Sequence, residues 1–191
     1  FNIIFQSIFI LFLVFTFIKY LNELFEFTKT ISPAQMSYPL GATRLMQKLA
    51  PSDPLAPNDI AAFNALLDEA LQQISREVRQ QPITLVGSSG SFETFADMID
   101  MELNGKAKLE YQNSKTLSFG DMDALLSLLE TSGRQERMKM RGLPEYRVDT
   151  IVQAALAVRW VRAHWNVQQL ITSFRALKEG LFLEIAYNRF I

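Results

Sequence analysis

The stretch that most constrains the fold is residues 82–99, PITLVGSSGSFETFADMI, where an apolar run of β type breaks into glycines and hydroxyls and opens directly into a helical pattern. Strands alternate with helices along the chain, which indicates an α/β or α+β core. Gly87 and Gly90 let the backbone adopt positive φ and approach a ligand closely, while Ser88, Ser89 and Ser91 add hydroxyls beside a helix N-terminus. A turn of this kind holds an oxyanion, phosphate above all. The same residues also fit a simpler reading, an ordinary strand-to-helix connection capped by Ser91. Glu93 falls in the first helical turn, where a carboxylate repels an anion.

With 191 residues, 49% apolar and 20% charged, the chain has the composition of one sizeable globular domain or two small ones. It has no cysteine, which excludes disulfides and thiolate metal sites, and its single histidine, His164, cannot build a histidine-rich one. A magnesium ion held by carboxylates stays open. Nineteen basic and twenty acidic residues give a net charge of -1, which argues against a generic nucleic-acid binder. Charge is uneven, however: residues 134–178 carry nine basic side chains against three acidic ones. That surface either attracts anionic ligands or solvates the outer faces of helices, with Arg147 and Asp149 spaced to share a local network.

Composition breaks near residue 30. Residues 1–18, FNIIFQSIFILFLVFTFI, carry no charge, and eight of the fifteen phenylalanines fall within the first 27 positions. As a helix this run reaches roughly 27 Å, close to the thickness of bilayer hydrocarbon. Residues 1–30 are therefore read as an apolar segment separate from a domain over 31–191, with three readings open. One is a membrane helix, another a segment foreign to the domain through truncation or a frame error, and the third a buried hairpin of the domain itself.

Five of the seven prolines lie in residues 32–57, a connector with a short strand over 34–38 and a short helix ending near Leu49. Ile60, Phe63, Leu67, Ala70, Ile74 and Val78 then recur at helical spacing as far as Gln81, with Pro57 at the first helical position and Asp59 in the first turn. After the glycine and serine turn, a helix over 92–101 should stop before Asn104-Gly105, and a short strand follows over 108–112. Ser118 caps a helix running to Thr131, and a short helix covers 134–140. A longer helix starts near Glu145 on the stripe Val148, Ile151, Val152, Ala155, Val158 and Val161; a strand over 169–173 and a closing helix over 178–188 complete the chain.

Four segments stand in a telling order: YPLGATRL (38–45), VGSSGSFET (86–94), RGLP with RVDTI (141–144 and 147–151), and TS with LKEGL (172–173 and 177–181). Together they resemble the second lobe of the exopolyphosphatase and guanosine pentaphosphate phosphatase (Ppx/GppA) family, over about residues 35–188. The resemblance implies an α/β lobe of actin-like, ribonuclease H-like fold, of the sugar kinase and Hsp70 superfamily. It also implies a phosphohydrolase that cuts polyphosphate or guanosine pentaphosphate in a basic cleft between two lobes, with magnesium offsetting charge. On this pattern Gly87, Ser88, Ser89, Gly90 and Ser91 form the phosphate-facing loop of the second lobe. Arg44, Arg141, Arg147 and Lys178 then frame the cleft or fix its loops.

The family's first phosphate loop with its aspartate, its catalytic glutamate and its Gly-Gly-Gly-Ser loop do not occur in this sequence. No catalytic residue or metal ligand is therefore assigned, and these 191 residues are expected not to hydrolyse polyphosphate alone. Implied partners are a first lobe, a second copy in a homodimer and, through residues 1–18, a membrane; the implied location is cytoplasmic or membrane-associated. The alternative is a non-catalytic phosphate-binding or interaction module, held at a membrane by its N-terminus.

Overall fold

The computed structural model describes residues 8–10, 40–72, 75–76, 82–88, 90–106 and 113–175. The strands expected over 34–38 and 108–112, the closing helix over 178–188, and residues Ser89 and Lys178 lie outside the described residues.

Four described strands form one sheet: β1 (Ile8–Ile10), β2 (Ile83–Ser88), β3 (Ser114–Leu117) and β4 (Val167–Ser173), in the order β1-β2-β4-β3. β1, β2 and β4 run parallel, and β3 is antiparallel at the edge. Along β2 Ile83 and Leu85 are buried, alternating with half-buried Thr84 and Val86, as a strand inside a sheet requires. The apolar helix expected over residues 1–18 is corrected at Ile8–Ile10, which are extended and paired with Thr84, Leu85 and Val86. A continuous run of branched and aromatic residues suits a parallel strand as well as a membrane helix, and here pairing with β2 takes the extended form. No helix among the described residues is long and apolar enough to cross a membrane.

The helices are α1 (Ala42–Leu49), α2 (Pro57–Ala70), α3 (Ser91–Met98), α4 (Phe119–Thr131), α5 (Arg134–Arg137) and α6 (Ile151–His164). α2 begins as its sequence dictates, with Pro57 at N1 and Asp59 at N3 accepting from the Ala56 N–H at 2.9 Å and the Ser52 N–H at 3.1 Å. A bond from the Ser52 hydroxyl above all, and then these backbone bonds, hold the Asp59 carboxyl below its ordinary value of 3.8. Instead of running unbroken to Gln81, α2 ends at a turn on Leu71, whose side chain is buried. α4 carries the expected cap, the Ser118 hydroxyl accepting from the Asp121 N–H at 3.0 Å.

α6 is the central helix. All six residues of its expected apolar stripe are buried, but so are Ala154, Leu156, Ala157 and Trp160, because α1, α2 and α4 all pack on it. It starts later than expected. Residues 145–147 form a 3₁₀ turn whose i→i+3 bonds, Arg147 N–H to the Pro144 carbonyl at 2.9 Å and Val148 N–H to that of Glu145 at 3.2 Å, delay the helix to Ile151.

Candidate functional site: the carboxyl edge of the sheet

β2 ends at Ser88, and α3 begins at Ser91 with Gly90 as its N-cap. Ser91 thus stands at the first helical position and is not the cap. Gly90 has φ 56° and ψ -112°, a backbone combination open to glycine alone at little cost. No side chain of the N-cap residue caps the helix, Thr94 N–H reaches the Gly90 carbonyl at 3.2 Å, and a helix N-terminus of this kind presents backbone N–H groups and a favourable dipole to an anion. Gly87 serves packing: a Cβ there would lie 1.9 Å from Cγ of the buried Phe92 ring. The fully buried Thr172 hydroxyl donates to the Phe92 carbonyl at 3.2 Å, tying the first turn of α3 to β4. Glu93 occupies that first turn, as expected.

The 3₁₀ turn delivers Arg147 to this loop. A Cβ on Gly90 would stand 3.3 Å from both terminal guanidinium nitrogens of Arg147, and the half-buried guanidinium lies 5.1 Å from the ring centroid of Tyr146. Among the described residues no carboxylate lies within ion-pair distance of Arg147. Its neighbours in the basic run differ. Arg134 pairs with Asp149 at 2.8 Å, Arg137 with Asp53 at 2.8 Å, Arg159 with Glu130 and Arg162 with Asp123. Asp149 is thus taken by Arg134, not by Arg147. Asp53, Asp123 and Glu130, brought from earlier in the chain, neutralise half of the local basic excess of six, and Asp149 pairs within the run.

Arg44 is exposed on the first turn of α1. Arg141 is exposed, its N–H donating to Glu102 Oε2 at 2.8 Å and its guanidinium reaching the Lys106 carbonyl at 3.5 Å, so it anchors the turn beyond α3.

Two further residues stand at the same edge, Ser173 and Arg175, neither of them among the site candidates drawn from the sequence. Ser88 stands opposite Ser173 and Ser173 opposite Ser114, so three hydroxyl residues cross the carboxyl edge at strand spacing, about 4.8 Å apart. Just beyond, the Arg175 Nε and Nη2 donate to Asn113 Oδ1 at 3.2 and 3.1 Å, a neutral partner, and no carboxylate among the described residues pairs with the guanidinium. The only sequence signal for Arg175 was its place in the basic run, because the partner arrives through the antiparallel edge strand.

The sequence profile of the Ppx/GppA phosphatase family matches residues 23–189. Comparison with curated protein sequences gives no match. Among solved structures the chain is similar to an exopolyphosphatase from Cytophaga hutchinsonii, with 29% identity and a TM-score of 0.72 over 78% of this chain and 48% of that one. It is also similar to the Aquifex aeolicus member of the Ppx/GppA family, with 19% identity and a TM-score of 0.66 over 81% of this chain and 49% of that one. The chain thus spans about half the length of these proteins. With a profile match across most of its residues and a mixed α/β fold shared with these structures, the chain belongs to the Ppx/GppA phosphatase family.

Proposed function

We propose that this chain supplies the phosphate-holding second lobe of an actin-like phosphohydrolase, with Gly87, Ser88, Ser89, Gly90 and Ser91 and the guanidinium of Arg147 binding one phosphate of a polyphosphate or of guanosine pentaphosphate. The observation that carries this reading is Arg147, set against Gly90 without a carboxylate among the described residues while four neighbouring arginines have one. Backbone N–H groups and a planar guanidinium are matched to non-bridging phosphate oxygens. In phosphoryl transfer the protein's main tasks are to position the chain and to stabilise charge on the transferring group, and this lobe provides such contacts. Ser173 and Arg175 extend the surface along the sheet edge, Arg44 and Lys178 frame the cleft, and Arg141 fixes the turn beyond α3.

Among the described residues no three His, Asp or Glu side chains come together to hold a metal ion, so no magnesium ligand is assigned on this chain. No step of binding is routed through the ion. The 191 residues bind and do not cleave by themselves; turnover needs the groups of a first lobe, whether on the same polypeptide or another.

The test is calorimetric titration of the chain with inorganic tripolyphosphate, alongside an assay for released phosphate. Binding without release is expected, with Arg147→Ala weakening affinity about tenfold or more and Arg162→Ala, whose guanidinium is already paired with Asp123, leaving it unchanged. Equal affinities for wild type and Arg147→Ala would overturn the site, and magnesium-dependent release by the purified chain would overturn the division of labour.

A further inference from the structure

Tyr146 is 77% exposed, one of two exposed large apolar side chains among the described residues. The other, Met138, is engaged through its sulfur with Arg134 Nη1 at 3.1 Å. Tyr146 stands on the 3₁₀ turn immediately before Arg147, its ring centroid 5.1 Å from the guanidinium carbon that faces Gly90. The ring therefore borders the oxyanion loop and leaves much of its surface open to solvent. An aromatic surface beside a guanidinium is how proteins hold a base and its phosphate together: the ring takes the π face of the base, whichever base it is, and the cation takes the anion. A nucleotide carries its base one sugar away from its first phosphate, a separation that two neighbouring side-chain tips can span.

We infer that Tyr146 is a specificity-determining residue, a stacking shelf that favours a base-bearing phosphate chain over an inorganic one of the same length. This rests on the oxyanion reading of Gly90 and Arg147. An inorganic chain offers nothing to the ring, so the phosphate contacts alone set its affinity, whereas a nucleoside polyphosphate gains the stack in addition.

The experiment titrates the full chain, as wild type, Tyr146→Ala and Tyr146→Phe, with guanosine triphosphate and with inorganic tripolyphosphate at one ionic strength. Wild type is expected to bind the nucleotide about 5- to 20-fold more tightly than the inorganic chain. Tyr146→Ala should erase that preference while leaving tripolyphosphate affinity unchanged, and Tyr146→Phe should keep it. A preference that survives in Tyr146→Ala overturns the shelf and leaves the phosphate site standing. Equal weakening for both compounds also overturns it, since the ring would then act only by holding Arg147. No preference in wild type, as expected if the ring is a contact for the other half of the enzyme, overturns it as well. Failure of wild type to bind either compound brings down the oxyanion reading itself, and the inference with it.

Discussion

A methyl group at Gly87 would sit 1.9 Å from Cγ of Phe92, inside the contact radius of a rigid buried ring that packs against β2. Gly87→Ala therefore has to displace the first turn of α3, and a loss of about 1–3 kcal/mol in urea unfolding is expected. Gly90→Ala forces a side chain into φ 56° and ψ -112°, and about 1–3 kcal/mol is expected there too, together with weaker anion binding because the Arg147 guanidinium is crowded at 3.3 Å. Wild-type stability in Gly87→Ala would show that the strand and the ring are not in this register. The loop itself was legible in the sequence, because a β run, glycines and hydroxyls followed by a helical pattern leave few alternatives. Which arginine serves it was not. Selecting Arg147 requires knowing which guanidinium groups are neutralised, and the acids that neutralise them come from distant positions, Asp53 lying 84 residues before Arg137.

Among the elements, α5 is held by one buried cation. Arg137 donates to the Val148 carbonyl at 3.0 Å, to the Ser132 carbonyl and to Asp53 at 2.8 Å, so it ties three segments together from inside. Arg137→Ala strands two carbonyls and should cost about 2–4 kcal/mol, read as a drop in the denaturation midpoint; a loss within 0.5 kcal/mol, roughly the surface-mutation range, would contradict this clamp. At α2, the depressed Asp59 carboxyl stabilises the helix start above the unfolded value of 3.8, and that contribution is lost as pH falls through the lower folded value. The thermal midpoint of wild type should thus exceed that of Asp59→Asn near neutral pH and converge on it in acid, whereas a gap independent of pH would show that charge plays no part. The start of α2, the Ser118 cap and strands β2 and β4 were readable because each carries a local signal. The late start of α6 was not, since its apolar stripe continues through the 3₁₀ turn at Val148. β3, with only Leu117 buried along SKTL, offers no alternation to read. In the phenylalanine-rich segment, a buried strand and a membrane helix share one composition.

On the scale of the whole molecule, the four described strands, a buried α6 and a glycine and serine loop at the carboxyl edge belong to a chain that spans about half the length of the solved relatives. The account's central claim is that this edge, at Gly90 and Arg147, is where phosphate sits. The most direct test is ¹⁵N-edited NMR of the full chain titrated with inorganic tripolyphosphate. Saturable shifts are predicted for the amides of Gly90, Ser91, Phe92 and Glu93 and for the Arg147 Nε, with little change at Arg141 and Lys106 on the far side of α3. Shifts that bypass Gly90 and Arg147, or that centre on the turn held by Arg141, would contradict it.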